Sequence, residues 1–231
     1  HPFAGRDPRM AMTIIYPGMD WNGTVVNTLD KTINGKDNAN YPPSANNASK
    51  TALTWRKYLD EQYANGIWNT NACPIVIRYA EVLLTYAEAV NELSGPSADV
   101  YDKLDLIRGR VGMPKVDREK YASKETLRRL IRRERGVELA GEGVRRADIL
   151  RWKDDNGKMV AETVLNGVLE RVVGTVNYAE TDPTKRAEID TNAPATDKKI
   201  EDRVFKVHNR YNPIPQGAID NNPNLEQNPG Y

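Results

Sequence analysis

Apolar side chains recur at helical spacing from about Ile75 onward, and the residues before it show no stable period. In "PIVIRYAEVLLTYAEAVNELSG", Ile77, Ala80, Leu83, Leu84, Ala87 and Val90 share one face. Pro74 at the start and Gly95 after the end are the punctuation a helix takes. A second helix is expected in "SADVYDKLDLIRGRVG", with Tyr101, Leu104 and Ile107 or Arg108 on one face, stopped by Gly112 and Pro114. The short turn between them makes an αα-hairpin. The small residues Ala80 and Ala87 let its helices approach closely, as in tetratricopeptide-type repeats. A solenoid needs about three or more such units, so further repeats are expected upstream. A third helix starts near Ser123 as N-cap and puts Leu127, Leu130, Ile131, Glu134 and Glu138 on one stripe.

The flanks differ. Residues 1–30 hold short β-like runs, "MAMTIIYPG" and "WNGTVVNTL", with turn dipeptides at Pro17-Gly18 and Asn22-Gly23. Residues 31–74 are rich in Asn, Pro and Ser and read as surface loops with a short strand or turn. Residues 178–203 are polar and read as a loop, and Pro213, Pro215, Pro223 and Pro229 force an extended tail. The expected organisation is a loop-rich segment over 1–74, a helical core over 75–152, and a polar loop and tail over 153–231.

The densest charge lies in "RRERGVELAGEGVRRADILRW" (132–152), where ten of 21 side chains are charged. Glu134 and Glu138, one turn apart, fit an acid/base pair by spacing alone. Six arginines share the stretch, and Arg78 and Arg108 stand in the neighbouring helices. Guanidinium groups keep carboxylates ionised, which suits an internal frame better than general acid work. The frame is expected to comprise Arg78, Arg108, Glu134, Arg135, Glu138 and Arg151. Gly141 and Gly143 read as a helix end and a tight turn into the next helix, with Trp152 anchoring its end.

The chain as a whole carries 33 basic and 32 acidic side chains, a net charge of +1, so it offers no general attraction for nucleic acid or anionic membrane. The arginines at 128, 129, 132, 133 and 135 spread around a helix with acids between them, which argues against a phosphate-gripping stripe. The single cysteine, Cys73, excludes an internal disulfide framework and a multi-cysteine metal site, and is expected to be a small buried residue. With two histidines and no H-E-x-x-H, G-x-S-x-G, P-loop or dinucleotide motif, no catalytic residue, cofactor or metal ligand is assigned. The loops before Ile75 instead carry Trp21, Trp55, Tyr58 and Trp68 among Asn, Asp and Arg. Flat rings beside polar side chains suit carbohydrate, whose C–H faces stack while its hydroxyls take hydrogen bonds; anchoring of a loop on the core is the alternative for each ring.

"IRYAEVLLTYAEAVNE" (77–92), "IRRERGVELAGEGVRRADILRW" (131–152) and "NPIPQGAIDNNPNLEQNPGY" (212–231) together resemble the SusD/RagB family of Bacteroidetes outer-membrane nutrient-binding lipoproteins. "RDPRM" followed by "TIIYPG" (6–18) is similar to that family's middle segment, and the four matches run in the family's order. The resemblance implies a mainly α fold of tetratricopeptide-like hairpins with a loop-rich, minor-β ligand face, of which this chain is the C-terminal part. It further implies a surface-exposed lipoprotein of the outer leaflet, attached only through a lipidated cysteine upstream of this chain. Such a protein binds oligosaccharide, or in some members peptide, and delivers it to a TonB-dependent, SusC-like transporter without catalysis. The family usually reads ERR-x-ELAFEG where this chain has "ERGVELAGEG". Gly136 stands for an Arg, and Gly141 for a bulky aromatic whose missing ring leaves a void or requires a neighbour to fill it.

Overall fold

The computed structural model describes residues 1–42, 48–63 and 72–231. In chain order the elements are α1 (Arg9–Thr13), β1 (Ile14–Ile15), β2 (Asp20–Trp21), β3 (Thr24–Val25), β4 (Thr32–Ile33), β5 (Lys36–Asp37) and β6 (Thr54–Trp55). Then come α2 (Tyr79–Ser94), α3 (Ala98–Arg110), α4 (Lys124–Glu138), α5 (Arg145–Arg151) and α6 (Val160–Val164). β7 (Gly167–Glu170), β8 (Gly174–Val176), β9 (Ala187–Ile189), α7 (Ala195–Lys198), β10 (Lys199–Arg203) and α8 (Gln216–Asn221) follow. The chain divides into two compact units, one of residues 1–145 with 171–198, the other of 146–170 with 199–231.

The first unit has two cores. In one, α2 packs on α3 and α4 through Leu83, Leu84, Ala87, Val100, Leu104, Ile107, Leu127 and Ile131. Ala87 is fully buried, so its lack of side-chain bulk sets the close approach of the helices. Ser97 caps α3, its hydroxyl accepting from the Val100 amide, and Ser123 caps α4 in a reciprocal box with Thr126. The other core gathers Phe3, Ile15, Tyr16, Met19, Leu29, Ala52, Val176 and Ala187 beneath short hairpins. β2–β3 and β4–β5 turn through Asn22-Gly23 and Asn34-Gly35, all four residues at positive φ, as a two-residue hairpin with the strands' own twist demands. In the second unit, β7 pairs antiparallel with β10, and Ile149, Met159, Ala161 and Phe205 form a small core.

Four expectations are corrected. α2 begins at Tyr79, not near Pro74: Arg78 is extended as N-cap and Ile77 is 71% exposed. The extended backbone turns the Arg78 guanidinium toward the end of α4, where it finds its carboxylates. "MAMTIIYPG" is helical over Arg9–Thr13 before β1, because Met and Ala favour a helical turn and strand pairing is available only to Ile14 and Ile15. The polar stretch 178–203 contains β9, α7 and β10: β9 pairs with β8 and buries Ala187, and β10 pairs with β7. Cys73 is exposed, since it stands in the exposed segment that precedes α2.

Candidate functional site

The four-residue step from Glu134 to Glu138 puts both carboxylates on the buried face of α4, below Leu127, Leu130 and Ile131. The turn after Leu139 returns Glu142 beside them. Arg9, on α1, donates to Glu134 Oε2 at 2.9 Å, to Glu138 Oε2 at 3.0 Å and to the Asp7 carboxylate at 2.6 and 2.9 Å. Arg108, from the last turn of α3, donates to Glu134 Oε1. Arg78 reaches Glu138 Oε1 at 2.6 Å and takes Glu142 bidentately at 2.7 and 2.8 Å. Arg110 adds Nη2 bonds of 2.9 and 3.1 Å to Glu138. Lys57 donates to Glu142 Oε1 at 2.5 Å and to the Glu138 carbonyl at 3.1 Å. Arg78 and Lys57 thereby also satisfy a carbonyl at the end of α4 that has no intrahelical donor.

Burial of itself pushes the Glu138 carboxyl up, but the hydrogen bonds and charges of Arg78, Arg9 and Arg110 outweigh it and hold it below the ordinary glutamate value. Glu142 follows the same balance, with Arg78 and Lys57 as the winning partners. Asp7 is lowered first by its hydrogen bond from Arg9. Arg9 and Arg78 are both raised: burial works against them and their carboxylates prevail. Carboxyls held ionised in this way are poor proton donors near neutral pH.

Two members of the expected frame stand elsewhere. Arg135, about 100° round the helix from Glu134, is buried toward α2, its Nη1 3.1 Å from Thr85 and its Nε 3.7 Å from Glu88. Arg151 pairs at 2.8 Å with Asp148, one turn before it on α5. Successive arginines on a helix point in different directions, so residues one apart from Glu134 cannot join its cluster. Arg9, Lys57, Arg110, Asp7 and Glu142 were the members the sequence reading missed. The recurrence of Glu at 134, 138 and 142, and "RDPRM" beside it in the family pattern, were the available signals.

Of the expected aromatic contacts, Trp21, Trp55 and Tyr58 sit around β6. Trp55 pairs across from Ile14 and is 43% exposed; the amides of Arg56 and Lys57 both donate to the Thr13 carbonyl. The Arg56 guanidinium lies 5.1 Å from the centre of the Trp21 ring, donating also to the Ala11 carbonyl at 2.6 Å. Arg56 therefore brings Trp21 next to the strand that carries Trp55. Behind Trp21, buried Asn27 and Asn38 fix the loops: Asn27 Oδ1 accepts from the Leu29 and Asp30 amides, and Asn38 Nδ2 donates to the carbonyls of Asn27 and Asp30. Tyr58 is half-buried at φ +71°, and its buried hydroxyl has no hydrogen-bond partner. Trp68 lies outside the described residues. Among the described residues no group of three or more His, Cys, Asp or Glu is arranged to hold a metal ion, and no helix is long and apolar enough to cross a membrane.

A family model described as the SusD family matches residues 1–231. The chain belongs to the SusD family. A curated relative, a SusD-like protein of Formosa agariphila, is 34% identical over 146 residues, 58% of this chain and 27% of its own length. The crystal structure of a SusD-like protein from Bacteroides fragilis superposes with a TM-score of 0.69 at 25% identity, over 99% of this chain and 39% of that one. A SusD homologue from Bacteroides thetaiotaomicron superposes at 0.57 and 23% identity, over 97% of this chain and 41% of that one. The chain thus spans at most about two-fifths of the length of these relatives. Its architecture is the mainly helical SusD-like one. The SusD-family departure at Gly141 also has its explanation: a Cβ placed there would lie 2.0 Å from Trp55 Cζ2, so the indole occupies the space beside the missing side chain.

Proposed function

We propose that this chain is the C-terminal part of a surface-exposed outer-membrane lipoprotein that binds oligosaccharide and delivers it to a TonB-dependent, SusC-like transporter. The anchor is a lipidated cysteine upstream of the chain, and no step is catalytic. The observation that carries the reading is the SusD-family match over all 231 residues. The chemistry around β6 supports a glycan as ligand. Trp21 and Trp55 offer ring surface beside Arg56, Asp20 and Asn22, a mixture of stacking faces and charge-assisted hydrogen bonds that suits sugar. The proposed contacts are Trp21, Trp55, Tyr58 and Trp68. Glu134 and Glu138 serve as a frame rather than a hydrolytic pair, because their oxygens are all taken by guanidinium donors.

Calorimetric titration of the full-length protein with neutral oligosaccharides and with oligopeptides tests this. At least one glycan is expected to bind, and Trp21→Ala and Trp55→Ala each to weaken it by about fivefold or more, corresponding to ~1 kcal/mol. Binding of peptides and of no glycan replaces the glycan reading with a peptide one. An isotherm unchanged by one substitution removes that tryptophan from the site.

A further inference from the structure

We infer that a second ligand site lies at the end of α4, and that it takes the carboxylate of an acidic group. A cleft of about 250 Å³ opens there, lined by Arg9, Lys57, Arg78 and Arg110 against Glu138 and Glu142, with Met12, Ile75 and Val137 as its apolar wall. The surrounding cluster pairs four carboxylates (Asp7, Glu134, Glu138, Glu142) with five cations (the lining four and Arg108), which leaves one positive charge over.

That excess has an identifiable location. Arg9, Arg78 and Lys57 are nearly spent on the carboxylates and the α4 carbonyl. Arg110 is not: only its Nη2 is engaged, by Glu138, and its side chain is 57% exposed. Its Nε–H and Nη1–H groups stay open as charge-assisted donors; each shares its edge of the guanidinium with the occupied Nη2, so either offers a ligand carboxylate a single bond. The one-charge excess matches one carboxylate. The volume is below the roughly 300–1,000 Å³ of sites that enclose a whole small molecule, so the cleft takes a single acidic unit with its ring or alkyl body against Met12 and Val137.

A carboxylate reaches such a site from an acidic sugar or from the end of a peptide. The site does not depend on the glycan reading, since its lining excludes Trp21, Trp55 and Tyr58.

Calorimetry on the full-length protein with glucuronate, glucose, N-acetylalanine and N-acetylalanine amide, at one ionic strength held with sodium chloride, tests the inference. At least one acid is expected to bind saturably and its neutral counterpart not to bind; which acid binds distinguishes sugar from peptide. Arg110→Gln is expected to weaken that acid by about tenfold, the loss of a charge-assisted hydrogen bond, and Arg110→Lys by less. Arg118→Gln, an exposed arginine paired with Asp102 away from the cleft, is expected to leave it unchanged. Acids that bind no better than their neutral counterparts, or an affinity that survives Arg110→Gln, overturn the site. A loss of oligosaccharide binding with carboxylate binding intact would instead strike the glycan reading alone.

Discussion

Gly141 has a backbone φ of +75° and stands against the indole of Trp55. Both facts exclude a side chain: the left-handed region costs an L-residue about 1–2 kcal/mol, and the added carbon has no room. Gly141→Ala is therefore expected to lower the unfolding free energy by about 2 kcal/mol or more in urea denaturation. In the Trp55→Ala background the same change should cost clearly less, because only the backbone strain remains; additive losses would refute the contact. Tyr58 presents the opposite case, a non-glycine residue at positive φ whose buried hydroxyl lacks a partner. An unsatisfied buried hydroxyl costs on the order of 1–3 kcal/mol, so Tyr58→Phe should leave stability equal or higher. If the hydroxyl serves ligand, the same variant should weaken oligosaccharide binding, and a lower melting temperature would show that it has a structural partner.

α4 joins two kinds of packing in one helix. Its first turns bury Leu127, Leu130 and Ile131, and its last turns bury Glu134 and Glu138 on the same face. The Glu138 side chain has no exposed surface and receives Arg9, Arg78 and Arg110. Removing its charge leaves those guanidinium groups without their central partner in a partly desolvated place. Glu138→Gln is expected to destabilise by about 3 kcal/mol, read as a fall in the denaturation midpoint with an unchanged m-value. A hydrolase with this residue as acid or base would lose turnover and keep its stability. The start of α4 was legible because Ser123 caps through a local hydrogen bond. The start of α2 was not, because Arg78 is drawn into extended backbone by carboxylates 60 and 64 residues away.

Across the first unit, the cluster ties the N-terminal segment, the β6 segment and α2, α3 and α4 together by charge. Glu138, Glu142 and Asp7 titrate below their ordinary values of 4.5, 4.5 and 3.8 when folded. The unfolded chain thus binds protons first as the pH falls. The stability these groups contribute is complete above about pH 5 and is lost as the pH drops through their folded values. Urea midpoints should be level from pH 7 to about 5 and decline below about 4.5, and Glu138→Gln should flatten the decline; a midpoint rising below pH 4.5 would contradict the arrangement. Local pattern alone determined the helical core, its caps, the apolar stripe of α4 and the family motifs, because period, cap and turn chemistry act between residues a few positions apart. Only the tertiary structure decided that Arg9, Lys57 and Arg110 complete the cluster while Arg135 and Arg151 pair elsewhere. It alone set Trp55 against Gly141 and opened the basic cleft beside Arg110. A guanidinium goes to whichever carboxylate the packed helices bring within about 3 Å of it, and that choice is not written in the spacing of either residue.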